Sequence, residues 1–257
     1  MFYWKLALMS LKSQMQYKAS LFLSTFGQFI TAFTFFFGIN FILDKVEVID
    51  GFTYGQVLIC FSVVMMSFAL GELFGGRFTG FSELLGNGEF DRALVRPRNI
   101  IMQVMLSKLD FTRLGLIVQA VVVLAYAVPA SGITWTFDKV MTLCLMIICG
   151  SIIFFGLFLM QATFAFFTIQ DLSFFNVFTY GARKFGQYPF SIYGKGILRV
   201  LTFVIPLALF QYYPLLYLIE KEQSVWYMLM PVISLLFMLP CYAFFRFGIS
   251  KYKSTGS

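Results

Sequence analysis

The chain of 257 residues is 60% apolar and 20% aromatic but only 12% charged, with a mean hydropathy of +0.83. A soluble domain carries about 25% charged residues, so this composition excludes a water-solvated fold as well as a disordered chain. The absence of His removes imidazole metal sites, Ser–His and Cys–His catalysis and His proton relays.

Residues 1–18 are mildly amphipathic, with Lys5, Lys12 and Gln16 on one helical face. They are expected to form an interfacial helix lying against the membrane, a basic flank that sets topology being the alternative. A membrane helix needs about 20 mainly apolar residues to cross a hydrocarbon core of about 30 Å. Six such runs follow, at 21–43, 52–70, 111–128, 140–167, 197–219 and 226–247. The first is fenced by Lys18 and Asp44, the third stops at Pro129, and the fifth is interrupted by Pro206 and Pro214. The first run is too long for the apolar part of a signal peptide, and no small-residue cleavage site follows it. The expected fold is therefore an all-α, polytopic membrane protein with six transmembrane helices, forming one domain over 1–257. The four Cys residues (Cys60, Cys144, Cys149 and Cys241) lie in apolar runs, where packing explains them.

Six spans put both termini on one side. All basic residues except Lys45, Lys139 and Lys221 then fall on that side, which the positive-inside rule makes cytoplasmic. The net charge of +7 is thus a topology signal and implies no nucleic-acid partner. The outer connections at 44–51, 129–139 and 220–225 are short. Two inner ones, 71–113 and 168–199, are long enough to carry helices of their own.

In the first long connection, Phe81, Leu84 and Leu85 form one apolar helical face, and Gly86-Asn87-Gly88 supplies a helix stop. Glu89, Asp91, Arg92, Arg96 and Arg98 make a mixed-charge patch around Pro97, either a solvated loop or a docking surface for a cytoplasmic partner. Span centres contain no ionisable side chain. Glu72, Arg77 and Arg113 are placed at cytoplasmic span ends, where snorkelling is inexpensive. Gln28, Thr31 and Gln211 lie within spans, as helix–helix hydrogen-bonding groups or as pathway lining. Gly71/Gly75 and Gly76/Gly80 have the spacing of close helix packing. No phosphate loop is present: the nearest stretch, Gly194-Lys195-Gly196, has Pro189 where the first glycine belongs.

These features resemble the permease subunit of type-2 ABC exporters, and more closely a bacterial branch of permeases of similar length. The segment from Gly88 to Pro97 carries the likeness, with Tyr188–Tyr193, Leu201–Pro206, Tyr213-Pro214 and the tail from Tyr252 to Ser257. The resemblance implies a dimer with a second permease copy or a related permease, bound to two ABC ATPase subunits. ATP and Mg would sit on those partners, with no catalytic residue, metal or cofactor on this chain. It implies a coupling loop at 71–110, with Phe81, Glu83, Leu84, Leu85, Glu89, Asp91, Arg92, Arg96 and Pro97 as the ATPase-coupling residues. Residues 171–195 would make an accessory contact or a membrane-surface helix. A translocation pathway would involve Gln28, Thr31, Gln211, Tyr212, Tyr213 and Pro214, with 214–220 either re-entrant or a simple kink. The expected location is the bacterial cell membrane, with both termini cytoplasmic. The competing reading is a gradient-driven secondary transporter or channel, and an intramembrane enzyme is disfavoured by the missing His and buried acids.

Overall fold

A computed structural model describes residues 2–43, 48–168 and 173–254. In lipid the backbone must satisfy its own hydrogen bonds, so long apolar runs become helices. The first helix, α1 (Phe2–Met15), leads through a turn into α2 (Lys18–Leu43). Asp44, the expected outer fence, and the connection through residue 47 lie outside the described residues, as does Lys45. A hairpin pairs Val48–Ile49 with Phe52–Thr53 through Asp50 and Gly51, at φ 51° and 77°. The predicted second span therefore starts as strand. Helix α3 (Tyr54–Thr79) begins only after Gln56 Oε1 accepts from the Thr53 amide at 3.1 Å.

Helix α3 does not end at residue 70, as the sequence suggested, but runs to Thr79. The glycines of 71–80 look like loop by composition. A Cβ at Gly71 or Gly75 would stand 2.8 Å from Phe154 Cβ or Phe158 Cδ2, so both serve a close helix crossing. Gly80 has open space around it and ends the helix instead. Three short helices follow: α4 (Phe81–Gly86), α5 (Glu89–Leu94) and α6 (Ile100–Ser107). Gly88 sits between α4 and α5 with φ 65°, the left-handed backbone expected of the stop there.

A 3-10 turn at Phe111–Arg113 opens α7 (Leu114–Ala130), which contains Pro129 in its last turn rather than stopping before it. Helix α8 (Phe137–Thr168) is next. The connection after α8 then holds α9 (Tyr180–Phe185), with residues 169–172, including Asp171, outside the described residues.

The predicted fifth span is the main correction. It is a broken pair: 190–203, ending in α10 (Gly194–Phe203), turns by 91° into 207–218, made of α11 (Leu207–Phe210) and α12 (Tyr212–Leu218). Pro206 has no amide hydrogen to continue the ladder, and the Ile205 amide turns back to Val200 O at 3.2 Å. Pro214 causes no break, because it falls in the first turn of α12, where an amide has no helical partner anyway. The chain ends with α13 (Val225–Ser234), a 3-10 turn, and α14 (Met238–Lys251).

Among the described residues, 5 helices are long and apolar enough to cross a membrane, or up to 6 if the bent pair is one span. Helix α3 is the central one, with 78% of its apolar window buried, against 6% for α2. It lies along α8 and α7, while α14, α13 and the bent pair pack on α8. At one end lie α1, α4 to α6 and the residues after α14; we call this the basic end. The hairpin and the 131–136 and 219–224 connections mark the other.

The hairpin end is stitched together by Lys139 and Lys221. Lys221 Nζ donates to Gly51 O at 2.8 Å and stands 4.0 Å from the Phe52 ring centroid. Lys139 pairs with Glu220, which also accepts from Thr134 Oγ1 at 3.0 Å. The hydrogen bonds and the ion pair hold Glu220 below the usual carboxylate range.

Candidate coupling surface and buried charge node

The basic end is built from a core outward. Phe81, Leu84 and Leu85 of α4 and Phe90 of α5 are buried. Phe81 lies 5.1 Å from Phe166 of α8 and 6.1 Å from Phe245 of α14, while Phe90 lies 5.2 Å from Tyr252. Aromatic pairs at such separations add to the apolar burial that holds them. The short helices are thereby fastened to α3, α8 and α14, the helices that make most of the interior. Arg77 of α3 adds an ion pair to Glu89 of α5 at 2.6 Å.

What remains outward is polar, with one apolar tip. Glu83, Glu89, Arg92, Arg96 and Pro97 are exposed, and between them Val95 is 83% exposed. Asp91 is half-buried and accepts from Ser254 Oγ at 2.8 Å, so it ties the tail to α5. The sequence-predicted coupling residues thus divide into an anchored set (Phe81, Leu84, Leu85), a tail contact (Asp91) and an outward set. Val95 was missed because a lone apolar residue in a charged loop carries no periodic signal.

Helix α1 is pinned across this region. Ser10 Oγ accepts from the Leu109 amide at 2.8 Å, Gln14 Oε1 from the Phe111 amide at 3.2 Å, and Tyr3 OH from the Asn99 amide at 3.2 Å. Gln14 Nε2 also donates to Leu109 O. Trp4, Met9 and Tyr17 point outward, with Lys5, Lys12 and Gln16.

Deeper in, the structure forms a charge node that sequence reasoning missed. Glu72 of α3 is only 1% exposed, so it does not snorkel from a span end. Its Oε1 receives Arg113 Nη2 at 3.0 Å and Tyr180 OH at 2.6 Å. Arg113 Nε pairs in turn with Asp110 Oδ2 at 3.0 Å. Arg183 of α9 stacks over Phe68, its Cζ 4.7 Å from the ring centroid. Burial, then the Glu72 charge and hydrogen bond, pushes the Tyr180 phenol far above its usual value, which keeps it a neutral donor. One carboxylate therefore joins α3, the start of α7 and α9. The available signal was the opposite charge of Glu72 and Arg113 at the facing ends of consecutive apolar runs.

The residues expected to line a pathway are not gathered in one place. Gln28 and Thr31 lie on α2, which packs on α1, α7 and the turn before α7. Thr31 Oγ1 donates to its own helix at Gly27 O, 2.8 Å away. Gln211 is buried, its Nε2 donating to Tyr188 O at 3.2 Å and Gly186 O at 3.4 Å. Tyr213 OH meets Thr202 Oγ1 at 3.2 Å, closing the bend between α10 and α12. Tyr212 stacks edge-on with Tyr213, and Pro214 is buried beside them. Within this fold the Gln211–Pro214 group supports the broken helix.

A family model described as ABC-2 family transporter protein matches residues 29–256, from within α2 to the tail. The chain belongs to the ABC-2 transporter family. No curated relative and no solved structure matches it. This ABC-2 protein is thus a multi-pass membrane permease, the transport component of an ABC transporter and not itself a catalyst. Family membership agrees with the helical, apolar interior.

Proposed function

We propose that this permease is one membrane half of an ATP-driven exporter, paired with a second copy or a related permease and driven by two separate ATPase subunits. ATP and Mg bind on those subunits. The basic end faces the cytoplasm of a bacterial cell, with both termini inside, as the distribution of Lys and Arg favours. One observation carries the reading: α4 and α5 bury an aromatic face continuous with α3, α8 and α14, while they present Arg92, Val95, Arg96 and Pro97 outward. A partner gripping that rim pulls on the helices of the interior rather than on a free loop.

ATP binding would bring the two ATPases and their grips together, and the rigidly attached helices would reorient the pathway between the two permeases. The charge node fits this scheme, since Glu72 joins α7 and α9 to the same helix that carries Arg77. The test is co-expression of the tagged permease with its cognate ATPase. Arg92→Glu with Val95→Asp should remove the ATPase from the purified complex while leaving membrane insertion unchanged. Undiminished complex yield would refute the docking assignment.

A further inference from the structure

Helix α10 carries two basic side chains at a depth their sequence position does not foretell. Counted along the chain, Lys195 and Arg199 belong with the basic end. In the structure the connection after α8 runs inward before it reaches them. Tyr180 meets Glu72 in the basic half of α3, and Gly186 packs on Val64 near the middle of that helix, where a Cβ would stand 2.9 Å from Val64 Cγ1. The Tyr193 hydroxyl donates to Phe185 O at 2.9 Å, which holds the start of α10 beside that level. At the other end of α10, Thr202 meets Tyr213, whose ring lies 5.7 Å from that of Tyr227 in the first turn of α13, toward the hairpin end. Helix α10 is thus fastened between the middle of α3 and the hairpin end. The 91° bend sets it across the direction of 207–218.

One side of α10 is spent on packing: Leu198, Leu201 and Ile205 lie on the core, with Thr202 buried. Lys195 and Arg199 stand one turn apart on the same flank and both are exposed. Among the described residues neither joins an ion pair. Beside them the outward face carries Val200 and Phe203, the latter 83% exposed. A helix of this pattern at a membrane surface would set its cations among head groups. Held at the level of Val64, α10 is too deep for that. Ionisable side chains at membrane depth face a water-filled cavity or path rather than lipid tails, and they mark what moves through it. Two uncommitted cations next to an exposed apolar face complement a solute that joins an acidic group to an apolar body.

We propose that α10 lines the transport pathway and that the cargo is an anionic amphiphile. Its acidic head group sits between Lys195 and Arg199, and its apolar body lies along Val200 and Phe203. The Arg199 guanidinium offers paired donors that match an oxyanion, and Lys195 adds a mobile point charge. Transport of such a solute rests on the exporter reading. Its binding at α10 needs neither ATPase nor ATP, so failure of the binding test leaves the ATPase docking assignment standing.

The experiment is fluorescence titration of the purified full chain in phosphatidylcholine nanodiscs. The probes are dansylaminoundecanoate and its uncharged methylamide, which share one apolar body. The wild type should bind the acid about tenfold more tightly than the amide. Lys195→Gln with Arg199→Gln should bring the acid down to the affinity of the amide and leave the amide unchanged. Lys195→Arg with Arg199→Lys retains both charges and should retain the preference. Lys5→Gln with Lys12→Gln, on the exposed side of α1, removes the same net charge and should leave both affinities as they are. Equal affinity of the wild type for the two probes, a preference that survives the glutamine pair in α10, or its loss in the α1 variant would overturn the proposal.

Discussion

Arg77 near the end of α3 and Glu89 at the start of α5 meet at 2.6 Å, bridging the helix end at Gly80 and the left-handed turn at Gly88. The pair ties the outward helix α5 to the central helix of the molecule. Glu89 is half exposed, so an ion pair of this kind adds at most about 1 kcal/mol to stability. Its consequence should be mechanical. Arg77→Glu and Glu89→Arg should each leave the melting temperature nearly unchanged, yet lower ATP hydrolysis by the assembled complex. The double variant should restore it. Paired measurement of melting and ATPase rate checks this, and equal loss in all three variants would assign the pair no coupling role.

Glu72 behaves differently because it is buried. Removing one member of a buried ion pair leaves its partner uncompensated and costs about 3–5 kcal/mol. Glu72→Ala should therefore unfold early in detergent. Glu72→Gln keeps an acceptor for Tyr180 and should fall between it and the wild type. Thermal unfolding of the lone permease reads this order, and a Glu72→Ala protein as stable as the wild type would show the node to be dispensable.

The aromatic anchor makes a third case. Phe81 and Phe90 are fully buried against Phe166, Phe245 and Tyr252. Truncating a buried Phe to Ala costs about 3–5 kcal/mol through lost burial and the cavity left behind. Phe81→Ala should destabilise the chain and also free α4 and α5, seen as faster hydrogen exchange at 81–94. Loss of stability with unchanged exchange there would mean that the short helices are held by other contacts.

At the hairpin end, Glu220 has a carboxyl pKa below its ordinary 4.5, through its hydrogen bonds to Lys139 and Thr134 and the Lys139 charge. A group depressed in the folded state stabilises above its unfolded pKa and loses that contribution as pH falls through the folded value. Acidification below about pH 4.5 should therefore loosen the 216–221 turn. The protection factor at those residues, exchange taken relative to the intrinsic rate at each pH, should fall on acidification in the wild type, and Glu220→Gln should show the lowered factor already at neutral pH. A pH-independent protection factor in the wild type would contradict the assignment.

The membrane class and the apolar runs were legible because each span must be apolar along its whole length, whatever surrounds it. The apolar faces of α4 and the stop at Gly88 were legible for the same local reason. Two features were hidden. The ends of α3 were misjudged because Gly71 and Gly75 lower helix propensity and gain only from Phe154 and Phe158, which are far away in sequence. The Glu72 node was read as a snorkelling end because its partners, Arg113 and Tyr180, come from two other elements. The break of the fifth run was half visible: two prolines were noted, but only Pro206 interrupts a ladder, and sequence position alone does not tell it from Pro214.

The central claim is that the permease moves cargo on energy supplied by another polypeptide. Its most direct test is ATP hydrolysis and transport in liposomes, measured for the permease alone and for the permease purified with its cognate ATPase. The account predicts no hydrolysis by the lone chain and vanadate-sensitive hydrolysis by the complex, abolished together with complex formation by Arg92→Glu and Val95→Asp. Hydrolysis by the lone permease, or ion-gradient-driven flux through it without any ATPase, would contradict it.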